Sequence, residues 1–290
     1  MSTTKQTPFL KASSIALPPV LLQQSAATLQ SRWSLNILPE IHRVCLVVDN
    51  KIFLWLYSSE HDSPHFSSSS MKASDICMYD GLEQIVSSVA TLKPAPNVFQ
   101  KEVQYILAVA TASYVTLLAI IFDRPGDFSS PVRLLPTHLA VSLDDHPVTS
   151  MATTSSGRLF LALADGSIDE FCYTTSSFNI LSWLPFSSSD STKNTARRHR
   201  LVKPMLRIPS SISLFIDNTR KRLWIVAPLK KTEGFMSLFS KVKTKGTTSV
   251  FCYSFTSSPA SALRFLGKIL DPLLPFLHPF LLMKELQVIS

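Results

Sequence analysis

One stretch of the chain, from Val103 to Phe122, carries no charged side chain and is as long as a membrane-spanning helix. It is rich in Val, Ile, Thr and Tyr, which favour extended backbone, and Thr-Ala-Ser-Tyr lies at its centre. Two buried strands joined by a turn therefore account for it better than one helix does. A transmembrane helix over 103–122 is the alternative interpretation.

Strand–turn–strand units recur along the chain. Apolar runs flank turn residues at Asp49-Asn50, Ser156-Gly157, Asp165-Gly166 and Asp217-Asn218, and these residues tolerate the positive φ of hairpin turns. We therefore predict a mainly β fold, a partial β-propeller built from four-stranded antiparallel blades. Short helices are predicted near the N-terminus, at 17–29, and before the C-terminal tail, at 261–270, where Ser261 is a candidate N-cap.

Composition supports a globular fold and a positively charged surface. Hydrophobic residues make up 46% of the chain and charged residues 17%, which excludes disorder over its whole length. The net charge is +8, and much of it is local. One basic patch comprises Lys193, Arg197, Arg198, Arg200, Lys203 and Arg207. We interpret it as a solvated loop, with a docking or nuclear-targeting patch as the alternative. Aromatic residues are not interleaved with it, so nucleic acid is not an expected partner.

The sequence shows no pattern typical of a catalytic, cofactor or metal site. Phosphate-binding glycine loops, the G-x-S-x-G elbow and the H-E-x-x-H zinc motif are all missing from the sequence. The four cysteines form no C-x-x-C pair, and their apolar neighbours indicate buried strand thiols; they are Cys45, Cys77, Cys172 and Cys252. We expect no enzyme activity, no cofactor and no bound metal.

An ordered set of short motifs resembles the large inner-ring scaffold nucleoporins, which have an N-terminal β-propeller. The matching blocks are Leu17-Pro-Pro19, Leu38–Arg43, Asp49–Tyr57, Tyr79–Leu82, Leu92–Phe99, Ala108–Thr111, Gly157–Tyr173 and Ile216–Leu223. The residues that carry the resemblance are Arg43, Asp49, Trp55, Tyr57, Asp80, Gly81, Lys93, Pro94, Gly157, Arg158, Asp165, Gly166, Asp217 and Arg220. Departures include Val44-Cys45, where the family has Ala-Trp, and Leu56, where it has Asn.

The resemblance divides the chain into three parts. Residues 1–35 form a leader segment, residues 36–255 supply about half of the blades of a nucleoporin propeller, and residues 256–290 form an apolar tail without resemblance to the family. The sequence therefore predicts that the chain is a fragment, a truncated gene model or a short paralogue.

The resemblance implies a structural constituent of the nuclear pore inner ring at the nuclear envelope, supporting protein import and RNA export. The implied partners are other inner-ring and linker nucleoporins and, through peripheral contact, the pore membrane. In this family a propeller loop contacts lipid as an amphipathic helix, and the matching segment here is 176–208. Its membrane-contact candidates are Phe178, Ile180, Leu181, Trp183, Leu184 and Phe186. The alternatives are an integral or peripheral membrane protein of another class, or a non-catalytic β-propeller interaction module.

Overall fold

The chain folds into four antiparallel sheets of four strands each. The computed structural model describes Leu21 and residues 32–57, 75–144, 146–175, 194–202, 212–229, 247–258 and 262–271. Within these residues the structure is almost entirely β, which confirms the predicted fold class.

Each sheet takes four consecutive strands in chain order. The first contains β1 (Trp33–Leu38), β2 (Arg43–Val48), β3 (Lys51–Leu56) and β4 (Cys77–Tyr79), with a short 3₁₀ turn at Pro39–Ile41. The second contains β5 (Val86–Leu92), β6 (Val103–Thr111), β7 (Tyr114–Phe122) and β8 (Val132–Ser142). The third contains β9 (Val148–Thr153), β10 (Leu159–Leu163), β11 (Ile168–Thr175) and β12 (Asn194–Val202). The fourth contains β13 (Ser213–Asp217), β14 (Arg222–Leu229), β15 (Thr247–Ser254) and β16 (Arg264–Asp271).

The four sheets stand beside one another as successive propeller blades, named blades 1 to 4 in chain order. Their first strands form the inner side, since β1 contacts β5, β5 contacts β9, and β9 contacts β13. The last strands lie at the outer side, where β4 contacts β8 and β8 contacts β12. This arrangement is the one that four-stranded meanders adopt around a propeller axis.

The uncharged run at 103–122 forms two paired strands, as predicted. β6 and β7 meet at a tight turn, where the Thr111 hydroxyl donates to the Tyr114 carbonyl oxygen at 3.0 Å and accepts from its N–H at 3.2 Å. Both strands are buried by blades on either side, and burial on two faces explains the missing charges. Among the described residues no helix has the length and apolar character needed to cross a bilayer.

Three apolar seams hold the blades together. The seam between blades 1 and 2 includes Ile52, Leu54 and Ile120; the next includes Leu117, Leu161 and Phe171; the third includes Phe160, Ile225 and Phe251. A fourth cluster lies on the outward face of blade 1, where Leu21 packs against Leu46, Phe53 and Trp55. Since apolar side chains alternate to both faces of the sheets, each internal blade contributes to two seams.

Three of the four predicted hairpin turns use the expected backbone, and in the fourth the positive φ lies at Lys221, with 51°, in place of Asp217 or Asn218. Asp49 has φ of 53°, Gly157 of 82° and Gly166 of 86°. The φ values lie in the left-handed region that Gly, Asn and Asp tolerate best. The cysteines also match their prediction, since Cys45, Cys172 and Cys252 are buried in strands and Cys77 is half-buried in β4.

The structure corrects two predictions of local conformation. The segment predicted as a helix at 261–270 contains β16, which pairs with β15 along its length, so blade 4 continues past the predicted domain end at 255. The basic patch, interpreted as a loop, places Arg197, Arg198 and Arg200 on β12. In both cases pairing with a neighbouring strand outweighs local sequence preference. Of the helix predicted at 17–29, only Leu21 lies among the described residues, and it is helical.

Candidate functional site

Arg43 is a motif residue that joins blade 1 to blade 2. It opens β2, only 3% of it is exposed, and its Nη2 donates to the carbonyl oxygen of Ser130 at 2.6 Å. Burial lowers the pKa of Arg43, against the opposing influence of Cys77 and Asp127. At the other end of β2, the Val86 N–H donates to the carbonyl oxygen of Asp49 at 2.9 Å. Two of the matched positions therefore hold the same seam.

Gly157 and Tyr173 join blade 3 to the segment that follows β5 in blade 2. A Cβ at residue 157 would lie 2.7 Å from the carbonyl oxygen of Lys93, closer than a carbon atom can approach. The Tyr173 hydroxyl accepts a hydrogen bond from the Ala95 N–H at 3.0 Å and donates to the Lys93 carbonyl oxygen at 3.5 Å. Burial raises the pKa of Tyr173 to about 12. Blade 3 therefore contacts the Lys93-Pro94 motif at the Lys93 backbone carbonyl oxygen, and these contacts do not use the charged lysine side chain.

Arg158 joins blade 3 to blade 4 from a fully buried position. Its Nε and Nη2 donate to the two carboxylate oxygens of Glu170, each at 2.8 Å, and both side chains are only 1% exposed. Its Nη1 donates to the carbonyl oxygen of Thr256 at 2.6 Å. The guanidinium also lies over the ring of Phe160, 4.8 Å from its centroid, and 5.9 Å from that of Phe255. This buried pair is bidentate and fully hydrogen-bonded, which is the arrangement that offsets the cost of burying two charges.

Other motif residues shape turns and local packing. Trp55 is buried in the outward cluster of blade 1, and the Tyr57 ring lies 6.3 Å from that of His42. Asp165 accepts hydrogen bonds from the N–H and hydroxyl of Ser167, and Asp217 accepts one from the Arg220 N–H. Asp80 and Gly81 are exposed residues in the connection between β4 and β5. The matched residues therefore divide into interblade contacts and turn geometry.

A polar cleft of about 440 Å³ opens where blades 2 and 3 meet at their outer side. It is lined by Asp144, His146, Asp169, Arg198 and Arg200. Asp169 is fully buried; one of its carboxylate oxygens accepts a hydrogen bond from Arg200 Nε at 2.9 Å, and the other forms an ion pair with Arg198 Nε at 3.0 Å. Arg198 also contacts Asp144 of blade 2. The cleft therefore contains both signs of charge, arranged around one buried carboxylate.

The ionisation of the cleft residues is set by their neighbours. The hydrogen bond to Asp169 raises the pKa of Arg200, although desolvation opposes the shift. Partial burial acts against the charged form of Asp165, but the hydrogen bonds from Ser167 and the charges of His146 and Arg200 outweigh it and lower its pKa. The Arg198 Nη1 atom is buried and has no hydrogen-bond partner. The part of the chain that the structure describes contains no group of three or more His, Cys, Asp or Glu placed to hold a metal.

The structure locates half of the predicted basic patch and none of the membrane-contact candidates. Arg198 and Arg200 point into the cleft, and Arg197 points to the opposite face of β12. Lys193, Lys203 and Arg207 lie outside the described residues, as do Phe178, Ile180, Leu181, Trp183, Leu184 and Phe186. Two of the six patch residues, Arg198 and Arg200, are therefore already paired with carboxylates of the same chain.

Sequence reasoning missed the acidic half of this site. Asp169, which lies in the cleft, and Glu170, which pairs with Arg158 on the opposite face, are adjacent in β11. Glu170 belongs to a block that resembles the family, but the sequence indicated no partner for either carboxylate. Consecutive acidic residues within an apolar run were the available signal, because a buried carboxylate requires a partner. The acidic residues do not identify these partners by themselves. Arg158 lies 12 residues before Glu170, and the pairing of β11 with β12 brings Arg198 and Arg200 to Asp169.

Comparison with known proteins assigns the family. A family model described as Nup133 N-terminal-like, of the nucleoporin N-terminal domain, matches residues 5–228. The chain belongs to this nucleoporin family. The match extends through the first three blades into β14. It includes Arg43, Gly157, Arg158 and Tyr173, whereas Phe251 and Thr256 of blade 4 lie beyond it.

Individual relatives agree with the family. The nucleoporin is 25% identical over 197 residues to the nuclear pore complex protein Nup154 of Drosophila melanogaster, covering 67% of this chain and 13% of the relative. It is 26% identical over 157 residues to nucleoporin NUP170 of Saccharomyces cerevisiae, covering 54% of this chain and 9% of the relative. The chain thus spans about a tenth of the length of these relatives.

A solved structure supports the fold. The nucleoporin matches the N-terminal domain of Chaetomium thermophilum Nup170, solved in complex with Nup53, with a TM-score of 0.62 and 20% identity. The match covers 87% of this chain and 30% of the solved chain. The family model confirms the resemblance to the nucleoporins that was inferred from the short motifs, and the solved structure confirms the propeller fold.

Proposed function

We propose that this nucleoporin contributes propeller blades to the scaffold of the nuclear pore complex at the nuclear envelope, and so supports nucleocytoplasmic transport. The observation that carries the proposal is the position of the motif residues. Arg43, Gly157 and Arg158 each fix one blade against the next, so the matched positions preserve a rigid shape. A scaffold acts through such shape and the surfaces it presents, and it requires no bond chemistry.

A localisation experiment tests this role. A fluorescent fusion of the full chain should concentrate at the nuclear rim. Gly157→Ala should weaken this signal, because the added Cβ pushes blade 3 away from Lys93. Gly126→Ala is the matched control, since Gly126 has nearly the same φ but no heavy atom within 4 Å of an added Cβ. A fusion that stays diffuse in the wild type would contradict the proposal.

We also propose that its partners are other nucleoporins. The solved relative with the same fold was crystallised with Nup53, a second nucleoporin. Affinity purification of the tagged full chain under mild salt should therefore recover inner-ring and linker nucleoporins. Recovery of none, from cells in which the fusion is soluble and folded, would remove this part of the proposal.

Peripheral contact with the pore membrane is a further proposal, based on the sequence of 176–208. Bulky apolar residues there alternate with Ser and Asn and precede the basic patch, a composition suited to lying on an anionic bilayer. Trp183→Asp with Phe186→Asp should reduce flotation of the full chain with liposomes. Equal flotation of the variant and the wild type would remove the membrane contact.

A further inference from the structure

β12 is the outermost strand of blade 3 and carries an unusual concentration of basic residues. We propose that its outer edge docks an extended acidic protein segment, which adds to the sheet as a further strand and places a carboxylate in the cleft beside Arg198. This interaction is independent of the proposed pore role, because it rests on the strand and the cleft alone.

Among the described strands, the backbone of β12 is paired along one edge only. Its inner edge pairs with β11 at eight positions, from Ile168↔Val202 to Thr175↔Asn194. No described strand pairs with its outer edge. An unpaired edge of this length presents a row of N–H and C=O groups, and these groups are what strand addition uses for affinity.

The side chains of β12 present positive charge to both faces of such an added strand. Arg198 and Arg200 point toward blade 2 and line the cleft, whereas Arg197 and His199 are exposed on the opposite face. β8 provides an internal comparison, because it is also an outermost strand, is longer, and carries only Arg133 and His138. The charge on β12 therefore favours acidic side chains, and consecutive acidic residues on an added strand would point to both faces in turn.

The cleft contains an unmet hydrogen-bond donor. Arg198 Nη1 is buried without an acceptor, while the same guanidinium contacts Asp144 and Asp169 through its other nitrogens. The Asp144 side chain is 67% exposed and belongs to the neighbouring blade, so it is an exchangeable contact. A carboxylate from an added strand would bond Arg198 in its place.

Other charges facing the cleft determine how selective it is. Asp169 is committed to Arg198 and Arg200, and Asp165 lies 3.9 Å from His146. These carboxylates prevent the cleft from attracting anions by net charge alone. Binding must therefore combine backbone pairing with a correctly placed carboxylate, which a protein segment supplies and a lipid headgroup does not.

The test uses the full chain and two synthetic peptides. One carries consecutive Glu residues flanked by Val, so that Glu points to both faces of the added strand, and the other carries Lys in place of each Glu. Fluorescence anisotropy should show binding of the Glu peptide only, and hydrogen exchange should slow in 194–202 when it is bound. Binding of both peptides alike, or neither, would overturn the proposal. So would binding to phosphatidylserine vesicles without binding to the Glu peptide, since that outcome assigns β12 to lipid.

Three variants locate the site. Arg197→Glu with His199→Glu should weaken binding of the Glu peptide about tenfold, equivalent to about 1.4 kcal/mol. Arg133→Glu on β8 is the matched control and should leave binding unchanged. Asp144→Asn should strengthen binding, because it removes the carboxylate that competes for Arg198. Unchanged or weaker binding by Asp144→Asn would overturn the role of the cleft.

Discussion

Two arginine–carboxylate clusters in blade 3 begin from adjacent buried residues of one strand and differ in the exposure of their arginines. Glu170 faces blade 4, where its pair with Arg158 is completely buried and bidentate. Asp169 faces the opposite way, where it pairs with Arg198 and Arg200, and both arginines line an open cleft. The difference teaches that strand alternation, not residue type, decides whether a charge pair locks a seam or remains accessible to a partner.

The largest expected effect is at the buried pair. Arg158→Ala should reduce the free energy of unfolding by about 3–5 kcal/mol, because it leaves the Glu170 carboxylate buried without its guanidinium. Chemical denaturation of the full chain measures this loss. Arg158→Met with Glu170→Leu should recover most of it, since an apolar pair of similar volume removes both buried charges. If Arg158→Ala alone is as stable as the wild type, the Arg158–Glu170 pair contributes little to the stability of the seam.

A smaller loss is expected where the backbones of blades 2 and 3 approach each other. Gly157→Ala should cost about 2–4 kcal/mol, combining a positive φ with an overlap at the Lys93 carbonyl oxygen. Gly126→Ala has the same φ penalty without the overlap and should cost about 1 kcal/mol. Unfolding midpoints of the two variants separate the contributions. Equal midpoints would show that the seam relaxes around the added methyl group.

The cleft should respond much less than the buried pair. Arg200→Ala should cost less than about 1 kcal/mol, because its side chain is 39% exposed and Arg198 still pairs with Asp169. Added salt should reduce the difference further, since exposed ion pairs are screened. A loss as large as that of Arg158→Ala would erase the distinction between the two clusters.

The smallest effect is a dependence on pH at the edge of the cleft. The folded state lowers the pKa of Asp165, so its contribution to stability is complete above the ordinary carboxyl pKa of about 4 and is lost as pH falls through the lowered value. Asp165→Asn should therefore be less stable than the wild type near neutral pH and should converge with it in acid. Asp80→Asn, at an exposed carboxylate outside the cleft, is the control. If the free energies of unfolding of the wild type and Asp165→Asn change in parallel with pH, Asp165 is not the source of the pH dependence.

Much of the fold was predictable because its signals are local. The uncharged run at 103–122 indicated two buried strands, and the Asp-Asn and Gly turns indicated hairpins, since both depend on a few neighbouring residues. The conformation of 261–270 was not predictable in this way. β16 forms because β15 offers it a pairing edge, and no local pattern reports that edge.

The candidate site was predictable only in part. The basic residues at 197–200 were visible as a charge cluster, but their acidic partners come from β11 and from the connection after β8. Register decides which of them meet, because a shift of one residue along β12 would exchange Arg198 and Arg200 for Arg197 and His199.

The sequence alone determined that this chain is a β protein with the ordered motifs of a scaffold nucleoporin. Hydrophobic alternation, turn residues and motif order can all be recognised from residues that are close together in the sequence. Only the tertiary structure decided what the motif residues do. Arg43, Gly157, Arg158 and Tyr173 act across seams, on backbone atoms up to 98 residues away. Such contacts depend on how neighbouring blades pack, and packing between distant segments cannot be read from the spacing of residues along one of them.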